Sequence, residues 1–326
     1  EPMLEYQKMM WNKWEKEHHT ILKSPTDGIR YRMDPPIFTK AFLDKADSLF
    51  EKARNMASDA ETLRRVELAE LAILYVELSQ DLNSMIQKGE LADRDKFNKI
   101  LDKFDKVAHK EGVNYLWEGG AGLDEWLTRL RRLATEDPSK SQQFKTKVGQ
   151  SDVNIIRLPA RCKCAIDTDN NGAANGWQSV AFDDSKWNGC RNDMGNGWES
   201  QGFNAKTPCY GWYRLKQQIP ADFTGKHIYM FFGAVDEDAY IYVNGTQVLD
   251  HSCDALGLTP EQIWDDSFTF DAVSSLKLGQ ENTIAVRVYN RMGMGGIWKP
   301  VYLLASDSEL SLNEQNTAIS QEPVNK

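Results

Sequence analysis

Two groups of neighbouring acidic residues are the first candidates for chemistry in this sequence. They are Asp236-Glu237-Asp238 and Asp265-Asp266. Carboxylates do acid–base work in pairs, and cleavage of a glycosidic bond takes two of them, about 5–10 Å apart across the sugar. The alternative is structural: a polar start to a strand, in which Asp236 or Glu237 pairs with Arg214. The structural alternative is favoured, so we predict no catalytic residues in this chain.

Tryptophans in turn-rich segments are the second kind of candidate, because a saccharide is held by an aromatic face and a few fixed polar groups. The chain has 10 tryptophans. The predicted carbohydrate contacts are Trp198, Glu199, Trp212, Arg214, Asn290 and Trp298. We expect Trp198 and Trp298 to form one exposed platform, with the charged and amide side chains as its polar partners. The alternative is that these aromatics fill the core or pack against a neighbouring domain.

A third candidate is a metal loop. Asp167-Thr168-Asp169-Asn170-Asn171-Gly172 has the spacing of the first half of a calcium-binding loop. Asp167, Asp169 and Asn171 are the predicted ligands of a structural calcium ion. Gln178 stands where such a loop carries its bidentate glutamate, so the pattern is incomplete. The alternative is an Asp/Asn-rich turn that hydrogen-bonds its own backbone.

Composition narrows the class of protein. The chain has 326 residues, which predicts two domains, and a net charge of −9. Residues 1–150 carry 25 Lys and Arg against 26 Asp and Glu, whereas residues 151–326 carry 14 against 22, a net −8. Such an acidic second half repels phosphate backbones, so nucleic acid is not an expected partner. No apolar run of about 18 residues occurs, so no membrane span is expected.

The 5 cysteines all lie in the second half, at positions 162, 164, 190, 209 and 253. An odd number leaves at least one thiol without a partner in the chain. We predict buried free thiols, with one or two disulfides as the alternative.

Apolar residues at helical spacing predict a helical domain over residues 1–148. A first helix is expected over residues 2–22, and Asp34-Pro35-Pro36 predicts the start of a second. A third is expected over residues 62–87. The series Phe97, Ile100, Leu101, Phe104, Val107 and Ala108 predicts a fourth helix, and the series Leu123, Trp126, Leu127, Leu130 and Leu133 predicts a fifth.

Short alternating strands separated by turns predict an all-β sandwich over residues 149–308. Asn244-Gly245 indicates a hairpin, because both residues tolerate a positive φ angle. Ile284, Val286 and Val288 alternate with more polar residues, which indicates a strand with one inward face. We expect the polar tail, residues 309–326, to fray.

Three segments of the second half, in order, resemble the sugar-binding jelly roll of family-two glycoside hydrolases, a galactose-binding-like sandwich. They are Gly211-Trp212-Tyr213-Arg214, Tyr240-Ile241-Tyr242-Val243-Asn244-Gly245 and Gly295-Gly296-Ile297-Trp298-Lys299-Pro300-Val301-Tyr302-Leu303. The first half resembles the helical segment of uncharacterised, α-glucuronidase-like bacterial proteins. The matching pieces are residues 24–29, 64–69 and 119–127.

The resemblance implies a non-catalytic, C-terminal part of a glycoside hydrolase that binds a neutral or uronic sugar. It also implies that a catalytic barrel, absent from this sequence, precedes Glu1, where the chain opens directly in helical sequence. A periplasmic or extracellular location follows from the same resemblance. The loop Arg291-Met292-Gly293-Met294-Gly295 carries no carboxylate where some family members reach into the barrel, and its thioethers suit an apolar contact. The alternative function is therefore a structural module that braces the barrel without binding sugar.

Overall fold

A computed structural model of the protein describes residues 1–22, 38–88, 91, 93–116, 122–137, 139–194 and 197–321. The chain divides into two compact units, Glu1–Glu136 and Asp137–Lys326. Some predictions fall outside the described residues. They concern residues 24–29, Asp34-Pro35-Pro36 and residues 119–121. None of the helices among the described residues combines the length and the apolar character of a membrane span.

The first unit is helical. Its helices are α1 (Pro2–Leu22), α2 (Lys40–Met56), α3 (Ala60–Lys88), α4 (Arg94–Lys110) and α5 (Leu123–Thr135). Side-chain caps fix where α2 and α4 begin: Thr39 accepts a hydrogen bond from the Phe42 amide, and Asp93 accepts one from the Lys96 amide. The apolar residues that predict α4 and α5 are the buried residues of those helices, so both predictions are confirmed.

The second unit consists mainly of antiparallel strands. They are β1 (Gln142–Val148), β2 (Ser151–Arg157), β3 (Arg161–Asp167), β4 (Asn188–Arg191), β5 (Cys209–Gln218), β6 (His227–Asp236), β7 (Asp238–Val243), β8 (Thr246–His251), β9 (Phe268–Asp271), β10 (Glu281–Asn290) and β11 (Gly296–Ser306). Short helices α6 (Cys253–Leu256) and α7 (Pro260–Ile263) follow β8, and α8 (Leu312–Ser320) follows β11. One sheet has the order β1-β2-β11-β6-β9 and the other β4-β3-β5-β10-β7-β8.

One core joins the two sheets. Met230, Phe232 and Leu303 of the first sheet pack with Ile241 and Val286 of the second. The alternation along β10 explains this, because every second residue of a strand points to the same face. The outer face of the first sheet is covered by α8, and the outer face of the second by the loop between β3 and β4, which contributes Trp177 and Trp187. Helices followed by antiparallel sheets agree with the predicted order of elements.

Two predicted boundaries differ from the structure. A division at residue 148 would separate β1 from β2, but these strands form a hairpin that pairs Val148 with Ser151, so β1 belongs to the second unit. The predicted fraying tail is helical over Leu312–Ser320. Ser311 and Glu314 form a capping box, and Ala318 is buried against the first sheet. The five cysteines are buried and free, as predicted.

Candidate functional site

The structure distributes the predicted carbohydrate contacts over three places in the second unit. Trp198, Glu199 and Asn290 surround the loop between β10 and β11. Trp212 and Arg214 lie on the outer face of the six-stranded sheet. Trp298 packs on Trp264. The single exposed platform of Trp198 and Trp298 is therefore not formed.

Trp198 belongs to the core rather than to the surface. Its side chain has 0% exposure and stacks on Tyr213, with 6.3 Å between ring centroids. Its indole N–H donates to Glu199 Oε1 at 2.8 Å. A Cβ atom on Gly211 would lie 2.3 Å from the Trp198 ring, so β5 needs glycine at this position. The expectation of an exposed Trp198 is wrong, because the ring fills space between the sheets.

The loop between β10 and β11 is held by buried polar groups. Asn290 Nδ2 donates to Thr207 Oγ1 and to the carbonyl of Gly293, both at 3.2 Å. The amide of Gly295 donates to Glu199 Oε2 at 3.2 Å. Arg291 forms an ion pair with Asp238 at 2.8 Å. These contacts fix the loop ends while Met292, at the tip, remains 50% exposed.

Three carboxyl groups at this end of the unit have perturbed ionisation. Burial, together with the nearby carboxylates of Glu237 and Glu199, raises the pKa of Asp236 to about 8. Burial also raises the pKa of Glu199 and of Glu237. Glu237 Oε2 accepts a hydrogen bond from the Arg291 amide at 2.6 Å. With a pKa of about 8, Asp236 can keep its proton near neutral pH and donate a hydrogen bond. Perturbed carboxyl groups occur at functional sites and in structural networks alike.

Arg214 is paired differently from the prediction. Its Nε donates to Asp184 Oδ2 at 2.9 Å, and its other nitrogens donate to the carbonyls of Trp177 and Phe182. The pairing with Asp236 or Glu237 is therefore wrong: Arg214 points to the outer face of the sheet and holds the β3–β4 loop. Trp212 has 0% exposure and stacks on Tyr242 beneath that loop.

A partly exposed aromatic pair lies elsewhere on the unit. Trp264 and Trp298 stack with ring centroids 5.4 Å apart and an interplanar angle of 9°. The Trp298 indole N–H donates to the carbonyl of Trp264 at 3.1 Å, and Lys299 Nζ lies 4.5 Å from the centre of the Trp298 ring. Trp264 remains 44% exposed. The sequence does not predict this pairing, because Trp264 and Trp298 are 34 positions apart and come into contact only in the folded chain.

Two of the predicted calcium ligands, Asp167 and Asp169, accept hydrogen bonds from N–H groups of the protein. Asp167 is buried, and its carboxylate accepts from the amides of Asn171 and Gly172 and from the Trp212 indole N–H. The Asp169 carboxylate accepts from Asn171 Nδ2 at 2.8 Å. This arrangement directs N–H groups from the loop backbone and from Trp212 at the Asp167 carboxylate. It matches the self-bonded turn that the sequence leaves as the alternative. Across the described residues, no three His, Cys, Asp or Glu side chains converge as metal ligands.

Comparison with known proteins gives a sequence relative for part of the chain. Over 82 residues the chain is 35% identical to a protein named β-glucuronidase from Formosa agariphila. The aligned stretch is 25% of this chain and 7% of that relative. Part of the chain is thus related to a glycoside hydrolase. No protein-family model matches the chain.

Among solved structures, β-glucuronidase from Ruminococcus gnavus is similar at 15% identity and a TM-score of 0.40, over 51% of this chain and 30% of that one. The same enzyme in complex with D-glucaro-d-lactam gives 16% identity and a TM-score of 0.39, over 47% and 29%. Likeness at this level carries no argument about activity.

Proposed function

We propose that this chain is a non-catalytic part of a glycoside hydrolase, and that its second unit is a galactose-binding-like jelly roll that contacts a glycan. The 35% identity to a protein named β-glucuronidase supports the relation to glycoside hydrolases. The catalytic partner in this proposal is a barrel outside the present sequence, and the location is periplasmic or extracellular.

The stacked pair of Trp264 and Trp298 is the observation that carries glycan contact. A sugar ring presents C–H groups that pack on the flat face of an indole. Trp264 keeps 44% of its surface exposed although it is held by stacking and by the hydrogen bond to its carbonyl. Asp265 and Lys299, which form an ion pair beside the indoles, supply polar groups for sugar hydroxyls. A rigid aromatic face with polar neighbours is the minimum that saccharide binding requires.

A glycan array with variants of this pair tests the proposal. We expect the chain to bind at least one glycan reproducibly, and Trp264→Ala to abolish that binding. Trp11→Ala is the matched control, because Trp11 is also exposed, at 61%, but lies in α1. Silence across a broad array, or equal loss in both variants, would reject glycan contact by this pair.

A second candidate is a brace that packs on the catalytic barrel without binding sugar. It is favoured by the burial of Trp198, Trp212, Arg214 and Asn290, each exposed by 1% or less, which leaves these predicted contacts to structural roles. The exposed Met292 at the tip of a tightly held loop suits an apolar contact with another domain. An array with no binding, together with a Met292-dependent association with the separate barrel, would favour the brace.

A further inference from the structure

A cavity opens on the second unit where β3 and β5 run side by side. Its volume is ≈ 210 Å³, far more than the roughly 15 Å³ that one water needs by the same measure. Four cationic side chains, Arg161, Lys163, Arg214 and Lys216, and one carboxylate, Asp184, contribute to its lining. This concentration of positive charge occurs within residues 151–326, where acidic residues outnumber basic ones by 22 to 14.

The strand register brings the cations together. Lys163 of β3 lies directly opposite Arg214 of β5 in the antiparallel pairing. Like charges at opposed positions of two strands destabilise a sheet. Their proximity therefore calls for a compensating anion, from the protein or from a ligand.

The protein neutralises the charge of Arg214 more fully than the charge of Lys163. Asp184 already accepts from Arg214 Nε at 2.9 Å, and Arg214 has a fully buried side chain. Lys163 Nζ donates to the carbonyl of Trp187 at 2.9 Å, which satisfies a hydrogen bond but supplies no charge. Lys216 lies 3.9 Å from Glu281, and its side chain is 51% exposed. The half-buried Lys163 and the exposed Lys216 are thus the cations best placed to meet an incoming anion.

We propose that this cavity binds the anionic group, a carboxylate or a sulfate ester, of an acidic saccharide. The saccharide part rests on the proposed function, whereas the anionic part rests on the lining of the cavity. Ammonium groups donate charge-assisted hydrogen bonds to such oxygens. Because Arg214 is buried and paired with Asp184, we expect it to position the residues of the site and not to contact the ligand.

The test uses the intact chain and three probes at constant ionic strength: D-glucuronate, inorganic sulfate and the neutral D-glucose. Calorimetric titration should detect glucuronate and no D-glucose at the same concentrations. Lys216→Gln and Lys163→Gln should each weaken glucuronate binding by about tenfold, the loss of one charge-assisted contact. Because Lys163 also holds the Trp187 carbonyl, Lys216→Gln is the variant expected to keep full stability.

Lys226→Gln is the matched control, because Lys226 is exposed on the same unit and is not part of the cavity lining. It should change the affinity by less than about twofold, and raised salt should weaken binding to the parent protein. Equal losses in Lys226→Gln and Lys216→Gln would overturn the site, since they would report net charge alone. Binding of inorganic sulfate without binding of glucuronate would overturn the carboxylate form of the proposal and support the sulfate ester, and binding of neither anion would overturn the site.

Failure of this site and failure of the proposed function give different results. Glucuronate titration that depends on Lys216 supports the cavity even when the glycan array is silent. Conversely, array binding that depends on Trp264 supports the proposed function even when no probe enters the cavity.

Discussion

The carboxylate of Asp167, at the end of β3, accepts a hydrogen bond from the indole N–H of Trp212 on β5 at 2.9 Å. The same carboxylate accepts from the amides of Asn171 and Gly172, so one buried side chain joins the sheet to the loop that covers it. A Cβ atom on Gly172 would lie 2.6 Å from Asp167 Oδ2 and from the rings of Trp177 and Trp212, so this joint also requires glycine. The relationship explains why Trp212 is buried.

Replacing Asp167 should destabilise the second unit strongly. Asp167→Ala leaves the Trp212 indole and two loop amides without their acceptor, and a buried donor without a partner costs about 1–3 kcal/mol. We expect a loss of about 3 kcal/mol in the free energy of unfolding, measured by urea denaturation followed by tryptophan fluorescence. Asp169→Ala is the control, because Asp169 is exposed, and should cost less than about 0.5 kcal/mol. Similar losses in both variants would contradict the role of Asp167.

Calcium should leave the protein unchanged. The carboxylates of Asp167 and Asp169 already accept hydrogen bonds from N–H donors, two of which belong to Asn171, so we expect an added cation to have to displace those bonds. We expect the same melting temperature in calcium and in chelator, and no heat in calorimetric titration. A calcium-dependent rise that disappears in Asp169→Ala would instead restore the metal site that the sequence pattern predicts.

Stability should respond to the ionisation of Asp236. In the folded protein its pKa is raised from 3.8 to about 8, so the folded state holds a proton that the unfolded chain releases. The contribution of Asp236 to the free energy of unfolding is therefore fully present below about pH 4 and is lost as the pH rises towards 8. Asp236→Asn cannot ionise, so its melting temperature should rise relative to the parent protein over that range and level off above it.

The comparison of these two proteins isolates Asp236 from other titrating groups. Burial lowers the pKa of His251 from 6.5, which makes stability fall with falling pH, but this group is present in both proteins. Asp222→Asn, at an exposed position of the same unit, is the control and should parallel the parent protein. A difference between Asp236→Asn and the parent that stays constant with pH would contradict the raised pKa.

Glu70 is a buried carboxylate of the first unit, and its loss should lower the free energy of unfolding of that unit. Glu70 of α3 is 1% exposed and pairs with Arg54 of α2 and Lys103 of α4, each at 2.5 Å. Glu70→Gln leaves two partly buried cations without their anion, and we expect a loss of about 2 kcal/mol, below the full cost of breaking a buried pair because both cations reach solvent.

Glu67→Gln is the matched control for Glu70. Glu67 pairs with Lys110 at 3.3 Å at a more exposed position of the same helix, so its loss should cost less than about 1 kcal/mol. Chemical denaturation followed by far-ultraviolet circular dichroism measures both. Equal costs would mean that burial of Glu70 does not strengthen its pairing.

Local sequence patterns determined the order of helices and strands. The apolar spacing of Phe97, Leu101 and Phe104 recurs in the buried face of α4, and Asn244-Gly245 forms the predicted turn between β7 and β8. These signals succeed because helix and strand periods are properties of adjacent residues. The Ser311–Glu314 spacing also carries a capping signal, although the polar composition of the tail favours fraying.

Only the tertiary structure decided which side chains meet and which reach solvent. Arg214 finds Asp184, 30 positions away, and Trp298 finds Trp264, because strand pairing and loop packing bring distant segments together. Trp198 is of a residue type that often contacts sugars at a surface, but its side chain is buried between the two sheets. Burial depends on the sum of contacts from the whole fold, so residue type and local spacing leave it undetermined.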